Sequence, residues 1–336
     1  MNFFENERIL PTFFQELPVL LQHLGPQKVY ISIFENGSSD TTPILLNLMA
    51  ELLDSIGTPH RIITLGTSDI PNKEEGYRIA FLARARNKAL EPLYNGAAAR
   101  EMRSRAFDEV MFMNDVAHCA VDMVEMIYQK RKQGAHQACA VDWGGWGGQV
   151  VYDRWVLRTM SGRPFYRWED MVYYVRAPDP EDGKEKPFSQ PLLYDDEDRA
   201  RFLANLPLQV FSCWNGATVF NAAAFFPPHN IRFRTARNDP DESGSPRSAT
   251  DKASESYLMS VDLWKAKMGK ILLVPRASVS YWPWDYYAYR KDAPLSDTFN
   301  DADEMVEWKL EPPPLVAMQD FARWEEVERW GAWDEP

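Results

Sequence analysis

Short apolar runs that stop at polar turns alternate with stretches of helical periodicity through the first half of this chain. Phe13, Leu17, Leu20, Leu21 and Leu24 recur at helical spacing and stop at Gly25-Pro26, a helix-ending pair. Val29 to Phe34 predicts a buried strand. The polar run Glu35-Asn36-Gly37-Ser38-Ser39-Asp40 predicts a turn, and Leu45, Leu48, Leu52 and Leu53 a second helix. Arg61 to Leu65 reads as the next strand and Arg78 to Tyr94 as the next helix. Val110 to Met113 predicts a short interior strand that stops at Asn114-Asp115. A helix from Met123 to Lys132 follows, then a strand over Ala138 to Val141 that again ends in a carboxylate, Asp142-Trp143.

The second half is less regular. Gly144-Gly145-Trp146-Gly147-Gly148 reads as a flexible loop, a lid, and residues 178–199 as an acidic, Pro-punctuated surface excursion. Gln209 to Cys213 predicts a strand leading into Trp214-Asn215-Gly216, and residues 237–250 a mobile loop. A helix starts at Ala253-Ser254-Glu255-Ser256 and runs to Trp264, and Ile271 to Val274 is the last clear strand. This alternation predicts an α/β sandwich on a mainly parallel sheet flanked by helices.

Composition narrows the reading. A chain of 336 residues, 45% hydrophobic, can bury a sizeable core and is not a disordered segment. The net charge of -12 argues against nucleic acid, whose phosphates call for clustered Lys and Arg. The basic run Lys130-Arg131-Lys132 reads as the solvated end of a helix. There is no run of 18 apolar residues and no signal-peptide pattern, so the chain as given has no membrane span; it is cytoplasmic, or an anchor lies outside it. Cys119, Cys139 and Cys213 show no metal-ligand spacing, and an odd count leaves at least one unpaired within a monomer.

The candidate chemistry lies at strand ends. Ligands of open α/β sheets bind outside the carboxyl ends of the strands, where Asp115 and Asp142 stand. Asp115 could hold Mg²⁺ or Mn²⁺ against a diphosphate, because hard oxygen ligands suit those ions, or the Asn-Asp pair could simply make a turn. Glu35 or Asp40 could meet a ribose or base, although Asp40 could equally cap the following helix. The glycine fingerprint GxGxxG and the Walker pattern are both absent. Arg84, Arg86 and Asn87 lie within one helical turn, able to reach a diphosphate or to form a solvated basic face. Asp153 could pair with an Arg or hold a sugar hydroxyl, and Glu255 either caps its helix or points into the cleft. Trp143 and Trp214 are candidate sugar-facing aromatics, or core residues.

Four blocks in the same order resemble the fungal capsule-associated α-1,3-mannosyltransferase family: Ile33 to Asp40, Ala85-Arg86-Asn87-Lys88-Ala89-Leu90, Phe112 to Val116, and Phe211 to Gly216. Tyr152-Asp153-Arg154-Trp155-Val156 and Ser254-Glu255-Ser256 add two more. The resemblance implies a single GT-A-like catalytic domain over residues 1–336. Residues 1–150 would be the nucleotide-sugar-binding half, 151–295 the acceptor-side half, and 296–336 an acidic tail carrying Trp324, Trp330 and Trp333. It further implies a GDP-mannose donor, a mannose-containing glycan acceptor, an α-1,3 linkage, Mn²⁺ or Mg²⁺, and a type II membrane protein facing the Golgi lumen. On that basis Asp115 is the metal ligand, and Glu35, Asn36, Gly37, Ser38, Arg86, Asn87 and Asn114 line the donor site. Trp143, Trp214 and Asn215 meet the acceptor, with Glu255, Asp142 and Asp153 as the catalytic carboxylates, Glu255 first among them. Asn114-Asp115-Val116 replaces the usual Asp-x-Asp metal motif with one carboxylate. Another nucleotide-sugar donor, or a non-catalytic glycan-binding or scaffold role, stays open, as does the choice between a covalent nucleophile and front-face attack.

Overall fold

The computed structural model describes residues 1–64, 78–103, 107–144, 150–153, 155–163, 165, 195–235, 253–290 and 305–313. Most of the glycine-rich loop after Gly144, the acidic excursion up to Tyr194, the loop 237–250 and the three tail tryptophans lie outside the described residues.

A parallel sheet of three strands, β1 (Asn2–Phe3), β2 (Ile31–Glu35) and β3 (His60–Thr64), stands beside a larger one. The larger sheet uses β4 (Glu109–Met113), β5 (Gln137–Gly144), β6 (Val150–Val151), β7 (Arg158–Thr159), β8 (Leu208–Ser212), β9 (Ala217–Asn221) and β10 (Ile271–Val279). Its order is β4-β9-β5-β10-β8-β7, with β6 paired to β5. Here the expectation of a mainly parallel sheet is corrected. In the larger sheet β5 and β10 pair in parallel, but β4–β9, β5–β9, β5–β6, β8–β10 and β7–β8 are antiparallel. β4, expected as an interior strand, is the terminal strand of that order. The cause is β9, which returns from Trp214-Asn215-Gly216 and inserts between β4 and β5 without a helical crossover.

Side-chain alternation along the strands builds a core on each face. On one face Ile33, Met113, Ala138 and Ala140 pack with α1 (Leu10–Leu24), α2 (Thr42–Ile56) and α5 (Ala120–Lys132). On the other, Phe34, Phe112, Cys139 and Val141 pack with α3 (Arg78–Tyr94), α6 (Asp196–Leu203) and α7 (Glu255–Lys265). The short α4 (Ala97–Glu101) follows α3, and α8 (Pro283–Arg290) follows β10. Because β2 and β4 feed both cores, the two sheets act as one layer between helices. All eight residues of β5 are buried, each large apolar one contributing roughly 1.5–3 kcal/mol. The expected solvated end of α5 is in part a clamp: Lys130 and Arg131 pair with Glu109 on β4, at 3.3 and 2.7 Å.

The antiparallel insertion has one consequence for the site. β4 and β5 each run opposite to β9, so they run the same way, and β10 runs parallel to β5 with Val279 opposite Asp142. All three strands therefore end at one edge, and the residues just beyond them converge.

Candidate active site

Arg86 and Asn114 form the centre of that edge. Arg86 reaches in from α3, buried, and its Nε donates to Glu255 Oε1 at 2.8 Å. Its Nη1 donates to Asn114 Oδ1 at 3.1 Å, and its guanidinium lies over the Trp214 indole, 4.3 Å from the ring centroid. Arg84, two residues earlier on the helix, is exposed. The basic turn is thus split, with one arginine solvated and one turned inward.

Glu255 opens α7, where Ser254 caps the helix by accepting the N–H of Ser256. The capping expected of this stretch falls to Ser254, while the Glu255 side chain turns inward to the buried Arg86. The Glu255 carboxylate also receives the Ser254 and Ser256 hydroxyls at 3.3 and 3.2 Å. With Arg86, three donors fix it in one orientation.

Asn114 is held from three sides: its Oδ1 also accepts from Trp214 Nε1 at 3.1 Å, and its Nδ2 donates to the Tyr281 hydroxyl at 2.7 Å. Trp214 is 3% exposed and packs against Phe112 and Phe233, so it is a floor under Arg86 and not a sugar platform. Trp143 is likewise corrected. It is buried against Phe202 with its indole N–H on Ser278, because alternation along β5 turns Trp143 to the core opposite to the face taken by Asp142. Asn87 spends both ends of its amide on the backbone of Phe233, a brace for the chain there rather than a donor contact.

Asp115 follows Asn114, and its Oδ2 accepts from Asn6 Nδ2 at 2.7 Å. Enclosure by protein pushes its pKa above the usual carboxylate value, against smaller opposing pulls from Asn6, its own backbone N–H and the Arg86 charge. Among the described residues no three His, Cys, Asp or Glu side chains gather as a metal cage. Asp115 nevertheless fits a divalent ion shared with a diphosphate, since Mg²⁺-type ions bind through one or two carboxylates plus phosphate oxygens. An enclosed carboxylate short of counter-charge is the protein half of such a site.

Asp153 accepts the backbone N–H groups of Asn215 and Val156, at 3.0 and 3.1 Å, and gives its own N–H to Asp142 Oδ1 at 3.2 Å. It fastens the Asn215 turn to β5. Burial raises its pKa, and the Glu255 charge adds to the rise. Asn215 is fully buried, and its Nδ2 has no hydrogen-bond partner among the described residues.

Glu35 ends β2 fully buried. One carboxylate oxygen accepts the N–H of Ser38, while Oε2 is without a partner among the described residues. Asp40 caps α2, accepting the Thr42 N–H at 2.9 Å. Asn36 and Gly37, with φ 88° at the glycine, turn the chain between Glu35 and Ser38. Glu35 Oε2 and Asn215 Nδ2 are thus two buried polar atoms without a hydrogen-bond partner among the described residues.

Sequence reasoning missed Tyr281. Its hydroxyl is driven well above the ordinary tyrosine pKa by burial and then by the charges of Asp115, Asp142 and Asp153, so it marks where the three carboxylates converge. The signal was hidden by Pro275, which made the last strand look finished at Val274. β10 in fact runs on to Val279, with the proline accommodated in a register shift between Leu273 and Ser278.

The family described as cryptococcal mannosyltransferase 1 matches residues 1–262. The "Alpha-1,3-mannosyltransferase CMT1" of Cryptococcus neoformans var. neoformans serotype D is 30% identical over 353 aligned residues, covering 98% of this chain and 68% of that protein. Two solved structures of S. aureus TarS align with 90% of this chain. One, of its residues 1–349, gives a TM-score of 0.41 at 12% identity; the other gives 0.42 at 9%. The chain spans 66% and 40% of those two structures.

Proposed function

This chain belongs to the cryptococcal mannosyltransferase 1 family of glycosyltransferases, and from that premise we propose that it moves mannose from GDP-mannose to a mannose-containing glycan, forming an α-1,3 linkage. A GT-A-type fold with the donor at the shared strand edge is part of this reading. The observation that carries the residue roles is the reach of Arg86, which ties Glu255 to Asn114, the neighbour of Asp115.

Over the reaction the bond from the anomeric carbon to the GDP oxygen is exchanged for one to the acceptor oxygen, and the acceptor's proton passes to the departing diphosphate or to water. Glu255, fixed by three donors, faces the sugar as positive charge develops on it. Arg86 holds that carboxylate in place and keeps a cation beside the diphosphate. Asn114 and Tyr281 position the loop that carries Asp115. Glu35 Oε2 accepts from a donor hydroxyl or base N–H, and Asn215 Nδ2 donates into the cleft. Mn²⁺ or Mg²⁺ held by Asp115 and the diphosphate would neutralise charge on the departing GDP. An α donor giving an α product means retention of configuration.

We also assign the protein to the Golgi lumen. The Cys139–Cys213 disulfide, with Cys119 left outside it, supports an oxidising compartment. No helix among the described residues is long and apolar enough to cross a membrane.

The test is GDP release from GDP-mannose, GDP-fucose, UDP-glucose and UDP-galactose, each with Mn²⁺ and with EDTA. Release from GDP-mannose alone, abolished by EDTA and by Asp115→Ala in a folded variant, is the expected result. Silence with every donor, or an Asp115→Ala variant that behaves as wild type, overturns it in favour of a glycan-binding or scaffold role.

A further inference from the structure

The residues beyond β10 carry an aromatic feature that the mechanism above does not use. Ser280 forms an antiparallel bridge with Ala117, through N–H donations of 2.7 and 3.1 Å in the two directions. Tyr281, the next residue, accepts from Asn114 Nδ2 at 2.7 Å and lies within reach of the Asp115 charge. Its neighbour Trp282 therefore stands at the strand edge where the donor is expected.

Trp282 is 43% exposed, yet it is held in position. The Tyr152 ring meets it edge-on at 5.5 Å, and the Tyr281 ring at 6.3 Å. Its backbone N–H is tied to Ser280 Oγ at 3.1 Å. The indole also lies against Gly144 so closely that a Cβ there would stand 2.9 Å from Trp282 Cζ3. Gly144 follows Trp143 on β5, two residues after Asp142, so the indole bridges the ends of β5 and β10. An exposed tryptophan that three aromatic and backbone contacts keep in place has already lost the rotamer freedom that binding would otherwise cost. Apolar indole surface stays open to solvent, next in the chain to Tyr281, on which the Asp115, Asp142 and Asp153 charges act. That pairing suits a pyranose, which has an apolar C–H face to stack and hydroxyls to bond.

We propose that Trp282, braced by Tyr152 and seated on Gly144, is the stacking platform for the acceptor sugar ring that receives the transferred mannose. This rests on the mannosyl-transfer reading. The donor is assigned to Glu35, Arg86 and Asp115, so Trp282 governs acceptor affinity and not donor binding. The role expected of Trp143 and Trp214 passes to it, because those two indoles are buried. Trp284, 83% exposed one residue into α8, has none of these braces in the contacts described and serves as the comparison.

The experiment uses the folded enzyme with α-1,3-mannobiose and a longer α-mannooligosaccharide as probes. Calorimetric titration of each probe without donor is set beside GDP release from GDP-mannose in water. Trp282→Ala is expected to weaken probe binding and raise the acceptor KM at least 10-fold, while GDP release without acceptor and the GDP-mannose KM stay within twofold. Trp282→Phe keeps an aromatic face and is expected to recover most of the acceptor affinity, and Trp284→Ala to leave it unchanged. Unaltered acceptor binding in Trp282→Ala overturns the proposal, as does an equal loss for Trp284→Ala. A rise in GDP-mannose KM would move Trp282 to the donor and also overturn it. Absence of donor hydrolysis in the wild type would count against the mannosyl-transfer reading alone, because the donor-free titration still reports on the platform.

Discussion

Arg86 and Glu255, 169 residues apart in the chain, meet at 2.8 Å with both side chains nearly excluded from solvent. A buried ion pair is not in itself a large stabiliser, since each charge loses its hydration on the way in. Here the pair is oriented by further groups: two serine hydroxyls on the carboxylate, Asn114 on the guanidinium, and an indole beneath it. Such elaboration favours a site over a staple, and the two members should fail differently. Arg86→Ala leaves Glu255 buried without its cation and is expected to cost about 3–5 kcal/mol of stability by denaturant unfolding.

Glu255→Gln retains an oxygen for Arg86 and the serines, so the fold is expected to hold, with a melting temperature close to that of the wild type. Turnover of GDP-mannose with acceptor is expected to fall on the order of 10²–10⁴-fold, the usual contribution of a positioned catalytic carboxylate. Full activity in a folded Glu255→Gln enzyme would reduce this carboxylate to a helix-cap neighbour.

The turn Asn215-Gly216 gives a second handle. Both residues adopt left-handed backbone, φ 51° and 71°, and the Gly216 carbonyl accepts the Asn114 N–H at 2.8 Å. A Cβ on Gly216 would meet Val116 Cγ1 at 3.0 Å and Val279 Cγ2 at 3.1 Å, side chains from the ends of two of the converging strands. Gly216→Ala therefore adds backbone strain to crowding, and we expect a loss of about 1–3 kcal/mol with lowered activity. Gly134, also at positive φ but with open space around it, is the control. Gly134→Ala carries the strain without the crowding and is expected to cost less and to spare activity.

How far the sequence could be read follows from which forces were local. The βαβ opening and the place of Asp115 just beyond β4 were legible because periodicity and capping act over a few residues. Asp142, expected beyond a strand ending at Val141, lies instead inside β5, which runs on to Gly144. Strand order was not legible: Gln209–Cys213 and Ala217–Asn221 look like ordinary strands, and nothing nearby says that the second inserts between β4 and β5. The aromatic assignments failed for a related reason. Trp143, Trp214 and Trp282 are alike in sequence, and only the pleat of β5, the packing beneath Arg86 and the contacts with Tyr152 and Gly144 separate the two buried indoles from the exposed one. Trp282 was hidden further by Pro275, which put the expected end of the strand at Val274, five residues before its end at Val279.

The disulfide between Cys139 and Cys213 joins β5 to the segment leading into Trp214, and both sulfurs are buried in the core. Closing a loop of 74 residues is worth about 4 kcal/mol in the chain-entropy treatment. The double variant Cys139→Ala/Cys213→Ala is therefore expected to lose about that much in urea unfolding, beyond the cost of trimming two small core side chains. Cys119→Ala removes no cross-link, only the side-chain cap at the start of α5, and is expected to cost less than the double variant. Equal stabilities with and without the bridge would mean that the oxidised pair contributes no constraint to the unfolded chain.

Asp198 provides the pH dependence. It lies in the first turn of α6, where burial, then the charges of Asp195 and Glu197, raise its carboxyl to about 7, with Lys309 and Arg201 opposing. In the unfolded chain the same group titrates near 3.8. Between those values the folded protein keeps a proton that the unfolded chain has released, so stability falls as pH rises through the window and levels off above it. Asp198→Asn cannot ionise and escapes that loss. Its melting temperature is expected to exceed that of the wild type at pH 8, with the gain shrinking as pH falls and vanishing near pH 4. A gain that is the same at both ends would trace the effect to amide packing rather than to the buried charge.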